Sequence, residues 1–267
     1  MHPLINKEMV QTIRDTGKTS AHLPDRANIL EKHGLPYDRP AENAIVTGCQ
    51  ILASLPRVLA ALARILDRGG LSYTFLSEEY CCGNYLYRPV IAARDEEALA
   101  ECRALSREFV LRTADTAQNF GARRLVIFCS PCYPVYKHAL PDREVVFYPT
   151  AIREAMGRVP FHGRIDYYAG CYRLHKRISP EPMDLASTEE VFARMPGLEI
   201  NRIGAPACCF KPDGIKHMVE HVSAPQMVHI CTGCYGQARQ HVPAEKGSEI
   251  LMLPEFVERA MNLAGQA

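Results

Sequence analysis

The sequence predicts an α/β protein made of two pseudo-repeated halves, each a parallel sheet of the Rossmann or flavodoxin-like kind with cysteines at the carboxyl ends of its strands. Three observations carry this prediction. From Ala44 onward, short apolar runs alternate with stretches of helical period. Several of those runs end directly on glycine or cysteine, and the whole order of runs and cysteines occurs twice.

Taken in order, residues 1–43 are polar and broken by Gly17, Pro24, Gly34, Pro36 and Pro40. They read as an N-terminal arm or docking segment with one helix around Arg26 to His33. The first domain is expected over 44–160. Ala44 to Gly48 reads as a strand and Leu52 to Asp67 as a helix, with Leu55, Val58, Leu59, Leu62, Ile65 and Leu66 on one face. Gly69-Gly70 makes the turn into a second strand, Leu71 to Leu76. A long helix over Asp95 to Phe120, a strand over Arg124 to Phe128, a short helix over Pro134 to Leu140 and a strand over Glu144 to Tyr148 complete it. In the second domain, 161–267, strands are expected at Arg164 to Ala169, Leu198 to Ile203, Met227 to Ile230 and Ile250 to Leu253. Its helices are expected at Thr188 to Met195 and Glu255 to Leu263.

With 267 residues, 47% of them apolar, the chain can bury a substantial core. No apolar run approaches the roughly 20 residues of a membrane span, and Met1 to Val10 lacks the basic start and apolar core of a secretory leader. A cytoplasmic protein without a membrane span is expected. The formal charge of +1, with both signs interleaved, argues against nucleic acid as a partner. The tight basic group Arg173, His175, Lys176 and Arg177 reads as a solvated helix start.

Eleven cysteines in such a chain are a heavy load, because cytosolic thiols are kept reduced and structural disulfides are not expected. Metal or redox chemistry is the first candidate. Cys49 is followed after 31 residues by Cys81-Cys82-Gly83 and then by Cys129-Ser130-Pro131-Cys132. Cys171 is followed after 36 by Cys208-Cys209 and then by Cys231-Thr232-Gly233-Cys234. Adjacent cysteines fit the relaxed geometry of an ordinary disulfide poorly, whereas two thiolates so close suit a metal. Five thiols exceed what a tetrahedral zinc uses, and soft thiolates select iron–sulfur clusters. Zinc held by four of the five remains the alternative in either half. Cys102, in the long helix, reads as a small buried residue.

The pattern resembles the cysteine-rich CCG-domain family, and within it the B-type chain of heterodisulfide reductase. The resemblance rests on Thr47-Gly48-Cys49, Cys81-Cys82-Gly83, Phe128-Cys129-Ser130-Pro131-Cys132-Tyr133, Tyr168-Ala169-Gly170-Cys171, Cys208-Cys209 and Cys231-Thr232-Gly233-Cys234-Tyr235. It implies a non-cubane [4Fe–4S] cluster in each half, held by Cys49, Cys81, Cys82, Cys129 and Cys132 in one and by Cys171, Cys208, Cys209, Cys231 and Cys234 in the other. It implies an oxidoreductase acting on a sulfur group, cleaving or forming a disulfide at one cluster while the other relays electrons. It also implies two partners, a ferredoxin-type subunit and a flavin subunit. The alternatives are an electron-transfer subunit without substrate chemistry and a zinc-stabilised scaffold.

Three features depart from that family, one being that Ala27 to Pro36 resemble the linker that joins a ferredoxin-like module to such domains, yet no Cys-x-x-Cys-x-x-Cys run precedes it. The stretch between the cysteine pair and Cys-x-x-Cys is 46 residues in the first half and 21 in the second, as though a helix had been lost. Phe210 stands where a glycine is expected after the second pair, and a side chain there restricts the backbone. Among other groups, His138 and His175 follow cluster cysteines and could serve as proton donors, although surface roles are the plainer reading. Lys211, Lys216 and His217 could attract an anionic substrate or merely open a helix. Tyr133 and Tyr235, each just after a Cys-x-x-Cys, read as packing residues. No dinucleotide or nucleotide loop is present in the sequence.

Overall fold

The computed structural model describes residues 1–172, 175–180 and 182–265, and for His175 the backbone only. Arg173 and the side chain of His175 lie outside the described residues.

The α/β reading holds. The first sheet contains β1 (Asn43–Val46), β2 (Tyr73–Phe75), β3 (Arg124–Ile127) and β4 (Glu144–Phe147), all parallel in the order β2-β1-β3-β4. The second contains β5 (Gly163–Tyr168), β6 (Leu198–Arg202), β7 (Gln226–His229) and β8 (Glu249–Met252), all parallel in the order β6-β5-β7-β8. The two orders are the same. Parallel strands need crossover connections, and the helices supplying them cover both faces, so β1 and β2 are buried at every residue.

The chain forms two compact units, one of Met1–Ala60, Ser72–Tyr148 and Leu174–Met183, the other of Ala61–Leu71, Pro149–Arg173 and Asp184–Ala267. In the first, residues 1–43 carry two helices, Lys7–Thr16 and Arg26–Lys32. Asn6 caps the former by accepting from the Met9 N–H, and Gly17 ends it in a left-handed conformation. This segment is tied into its unit. The Gly17 carbonyl accepts from the Cys81 N–H at 2.7 Å, and Arg14 pairs with Glu108 at 2.8 Å.

The helix expected over Leu52 to Asp67 is instead two, Ile51–Ser54 and Pro56–Arg68. Pro56 disfavours helical backbone at the preceding residue, and Leu55 is accordingly non-helical. The long helix Glu96–Asn119 begins where Asp95 accepts from the Ala98 N–H at 2.9 Å. Asp95→Ala is expected to cost about 1 kcal/mol, the usual worth of such a cap, read as a lower urea midpoint with unchanged slope.

Between its cysteine pair and its Cys-x-x-Cys, the first unit carries two α-helices, Tyr87–Ala93 and Glu96–Asn119. The second carries one, Pro212–Glu220. The shorter linker therefore does correspond to one missing helix.

Candidate metal centres

The repeated topology delivers the cysteines to equivalent places. Cys49 and Cys171 each lie three residues beyond the central strand, β1 or β5. Cys81 and Cys208 lie six residues beyond the edge strand, β2 or β6, while Cys129 and Cys231 lie two beyond β3 or β7. All three positions follow carboxyl ends of parallel strands, where open α/β sheets collect ligands.

In the first unit the five thiols form one connected group. The Sγ atoms of Cys82 and Cys132 are 3.2 Å apart. Interaction with Cys81, followed by burial, pushes the Cys49 thiol far up, and Cys132 is raised by Cys129, Cys82 and burial. Cys82 is lowered, chiefly by its hydrogen bonding with Cys132 and then with Cys81. Cys81, Cys82, Cys129 and Cys132 are buried; Cys49 is partly exposed.

The second unit repeats the arrangement with a more open surface. Cys209 and Cys234 place their Sγ atoms 3.3 Å apart. Cys234 is raised by Cys209, Cys231 and burial, and Cys208 by burial and by its neighbours Cys171 and Cys209. Here only Cys209 and Cys234 are buried, whereas Cys171, Cys208 and Cys231 are partly exposed.

Backbone conformation brings the thiols this close. Gly48 has φ 90°, and a Cβ placed on it would stand 2.7 Å from Cys129 Cβ. Gly170 has φ 100°, and its Cβ would stand 3.3 Å from Cys234 Sγ. Each glycine lets the turn after the central strand lie against the Cys-x-x-Cys of its own unit. After the first pair, Gly83 is left-handed and its N–H donates to Cys81 Sγ at 3.4 Å. Phe210 replaces that glycine without a positive φ, and its N–H still donates to Cys208. The amide donor survives the substitution, and Phe210 itself stands 56% exposed beside Gly233 of the second Cys-x-x-Cys.

Several contributors to the first centre carry no mark in the sequence. Thr19 donates to Cys49 Sγ at 3.7 Å. Glu79, side chain 1% exposed, accepts from Arg26 Nη2 at 2.7 Å, from the Thr47 N–H at 2.9 Å and from the Gly48 N–H at 2.6 Å. That carboxylate holds the turn presenting Cys49. Tyr85 lies at the rim, its hydroxyl on Gln50 and its pKa pushed up to about 12 by partial burial and then by Cys49, Cys129 and Cys81. No local sequence pattern points to Glu79.

Other sequence candidates fall outside the groups. Cys102 is fully buried, its thiol on the Leu86 carbonyl and pushed up to about 11 by burial. Lys211 immediately precedes the helix Pro212–Glu220, and Lys216 pairs with Glu220 at 3.8 Å. His217 stacks on His221 with ring centroids 4.1 Å apart. Tyr133 packs against Phe147, centroids 5.4 Å apart, as a packing residue would. Lys176 and Arg177 belong to the helix His175–Ile178, where Arg177 pairs with Glu96 at 3.4 Å.

The donor set suits a cluster. Among the described residues no group of three or more His, Cys, Asp or Glu side chains is set to enclose a single ion. Five crowded thiols cannot all ionise without positive charge beside them, and thiolate-rich sites are those that iron–sulfur clusters occupy.

Residues 43–135, which contain Cys102 and all five thiols of the first centre, match the family model of the cysteine-rich domain CCG. A curated relative, the EtfAB:quinone oxidoreductase of Syntrophomonas wolfei subsp. wolfei (strain DSM 2245B / Goettingen), is 24% identical over 166 residues, covering 55% of this chain and 20% of that protein. The chain thus spans about a fifth of the length of the relative it matches. No described helix is long and apolar enough to cross a membrane.

Proposed function

We propose that this chain is a two-cluster iron–sulfur component of an oxidoreductase complex, of the same type as the B-type chain of heterodisulfide reductase. The second centre exchanges electrons with a thiol or disulfide, and the first relays them. The observation that carries this reading is the difference between two otherwise matched thiol groups: one partly exposed cysteine of five in the first centre, three of five in the second. The more enclosed group suits outer-sphere transfer, whereas substrate sulfur needs an accessible edge.

When bound, such clusters supply one-electron chemistry that splits a two-electron disulfide cleavage into two steps. The chain supplies the rest. Cys49, Cys81, Cys82, Cys129 and Cys132 would hold one cluster; Cys171, Cys208, Cys209, Cys231 and Cys234 the other. Phe210 would flank an approaching disulfide with apolar surface, and water at the open rim would supply protons. The electrons would come from a ferredoxin-type subunit or a flavin subunit of the same cytoplasmic complex.

A pure relay is the second reading, favoured by the matched relative, an oxidoreductase between EtfAB and quinone. One experiment separates the two. Anaerobically loaded protein should be coloured and contain iron and acid-labile sulfide in equal amounts, with iron reduced by Cys82→Ser and by Cys209→Ser separately. Adding a disulfide to the oxidised protein should perturb the paramagnetic spectrum of the centre that Cys209→Ser removes. No perturbation by any thiol or disulfide, alongside normal reduction by a ferredoxin, leaves the relay. Colourless protein holding zinc overturns both.

A further inference from the structure

The two sheets share strand order and register, yet one cross-strand pair beside the thiols differs in kind. In the first sheet Val46 lies opposite Ile127. In the second, Tyr168 lies opposite His229. The positions correspond: Val46 and Tyr168 each precede the first cysteine of their set by three residues, and Ile127 and His229 each precede the Cys-x-x-Cys by two. Directly opposed residues on neighbouring strands face the same side of a sheet. An apolar pair has thus become two polar rings, with centroids 5.9 Å apart.

Both rings are completely buried. The Tyr168 hydroxyl and both imidazole nitrogens of His229 have no hydrogen-bond partner among the described residues. Buried polar atoms are nearly always paired, and an orphaned one costs stability that Val and Ile at the same places would not cost. Tyr168 also belongs to the same buried core cluster as Cys209 and Cys234. The unpartnered hydroxyl therefore belongs to the core cluster that holds two thiols of the second centre, and no polar ring stands at Val46.

We propose that Tyr168 is a positioning residue of the second centre: its phenol O–H is reserved for a sulfur of the bound group, and that hydrogen bond raises the group's reduction potential. The inference rests on the iron–sulfur reading of the two centres. Reduction adds negative charge to the cluster, and a fixed O–H dipole stabilises the reduced form more than the oxidised one. His229, opposite Tyr168 in the register, keeps the surroundings of that hydroxyl polar. The first centre is served differently, by Thr19 on Cys49.

Tyr168→Phe removes one oxygen and keeps the ring. In a redox titration of the loaded full chain followed by paramagnetic resonance, one of the two midpoint potentials should fall by a tenfold change in the one-electron equilibrium constant, about 59 mV. The other should not move, and Thr19→Val should move that other one. In the unaltered protein, the reduced second centre should show a coupled proton that exchanges in deuterated water and is missing in Tyr168→Phe. Two unchanged potentials in Tyr168→Phe overturn the inference. Should that variant fail to load, absence of the exchangeable coupling from the unaltered protein overturns it by itself. If Cys209→Ser leaves the iron content unchanged, the iron–sulfur reading of the second centre fails, a result distinct from an unshifted potential.

Discussion

Glu79→Ala is expected to destabilise the first unit by about 3–5 kcal/mol, the range for breaking a buried ion pair from one side, and to empty its thiol group of iron. The carboxylate accepts from Arg26, from the Thr47 N–H and hydroxyl and from the Gly48 N–H, all in a place closed to water. Its removal leaves a guanidinium 8% exposed without a counter-charge. It also orphans two backbone donors in the turn that presents Cys49, and each buried unmade bond carries its own penalty. The Arg26 contacts to the Leu76 carbonyl and the Thr47 hydroxyl remain, so the guanidinium cannot simply swing to solvent. Glu79→Gln keeps one acceptor oxygen and removes the charge, and should fall between alanine and the unaltered protein. Arg26→Met combined with Glu79→Leu should cost less than Glu79→Ala alone, because no isolated charge stays buried. Urea denaturation gives the energies and iron per chain gives the loading. An unchanged midpoint in Glu79→Ala, with full loading, would refute this account of the turn.

That pair also shows where sequence reasoning ends. Arg26 and Glu79 are 53 residues apart and belong to no periodic pattern, so nothing local marks them as partners. Residues 1–43 looked like an arm because only Val10 and Ile13 of the helix Lys7–Thr16 are buried, too few to give a clear apolar stripe. The structure nevertheless draws from that segment Thr19 for Cys49 and the Gly17 carbonyl for the Cys81 N–H.

Most of the eight strands were legible as short apolar runs, and β1, β3, β5 and β7 each lead within two residues to glycine or cysteine. Other helices were missed for identifiable reasons. Tyr148–Ala155 follows β4 without a break, and Pro212–Glu220 showed in the sequence only as a helix start at Lys211, without its bounds. The ten cysteines were legible as two sets through their duplicated order. Their unequal exposure was not, since it depends on how each linker packs.

Gly48→Ala should be the most damaging methyl group that can be added to the first centre. At φ 90° a side chain pays the left-handed penalty of roughly 1–2 kcal/mol. The new Cβ would also stand 2.7 Å from Cys129 Cβ and 3.2 Å from its Sγ, so either Cys129 or the turn must move. Overpacking of this kind adds about 1–3 kcal/mol, and the displacement falls on a thiol of the proposed iron site. Gly121 supplies the control. It has φ 79° in the same unit, with nothing within 4 Å of its would-be Cβ, so Gly121→Ala should show the backbone cost alone and load iron normally. The difference between the two variants isolates the contact of Gly48 with Cys129. Gly170→Ala tests the same idea in the second unit, where the nearest sulfur would be 3.3 Å away and the clash correspondingly milder. Iron per chain should therefore fall more in Gly48→Ala than in Gly170→Ala and remain unchanged in Gly121→Ala. Equal loading in all three would mean that the close approach of the two cysteine-bearing turns is not what forms the centres.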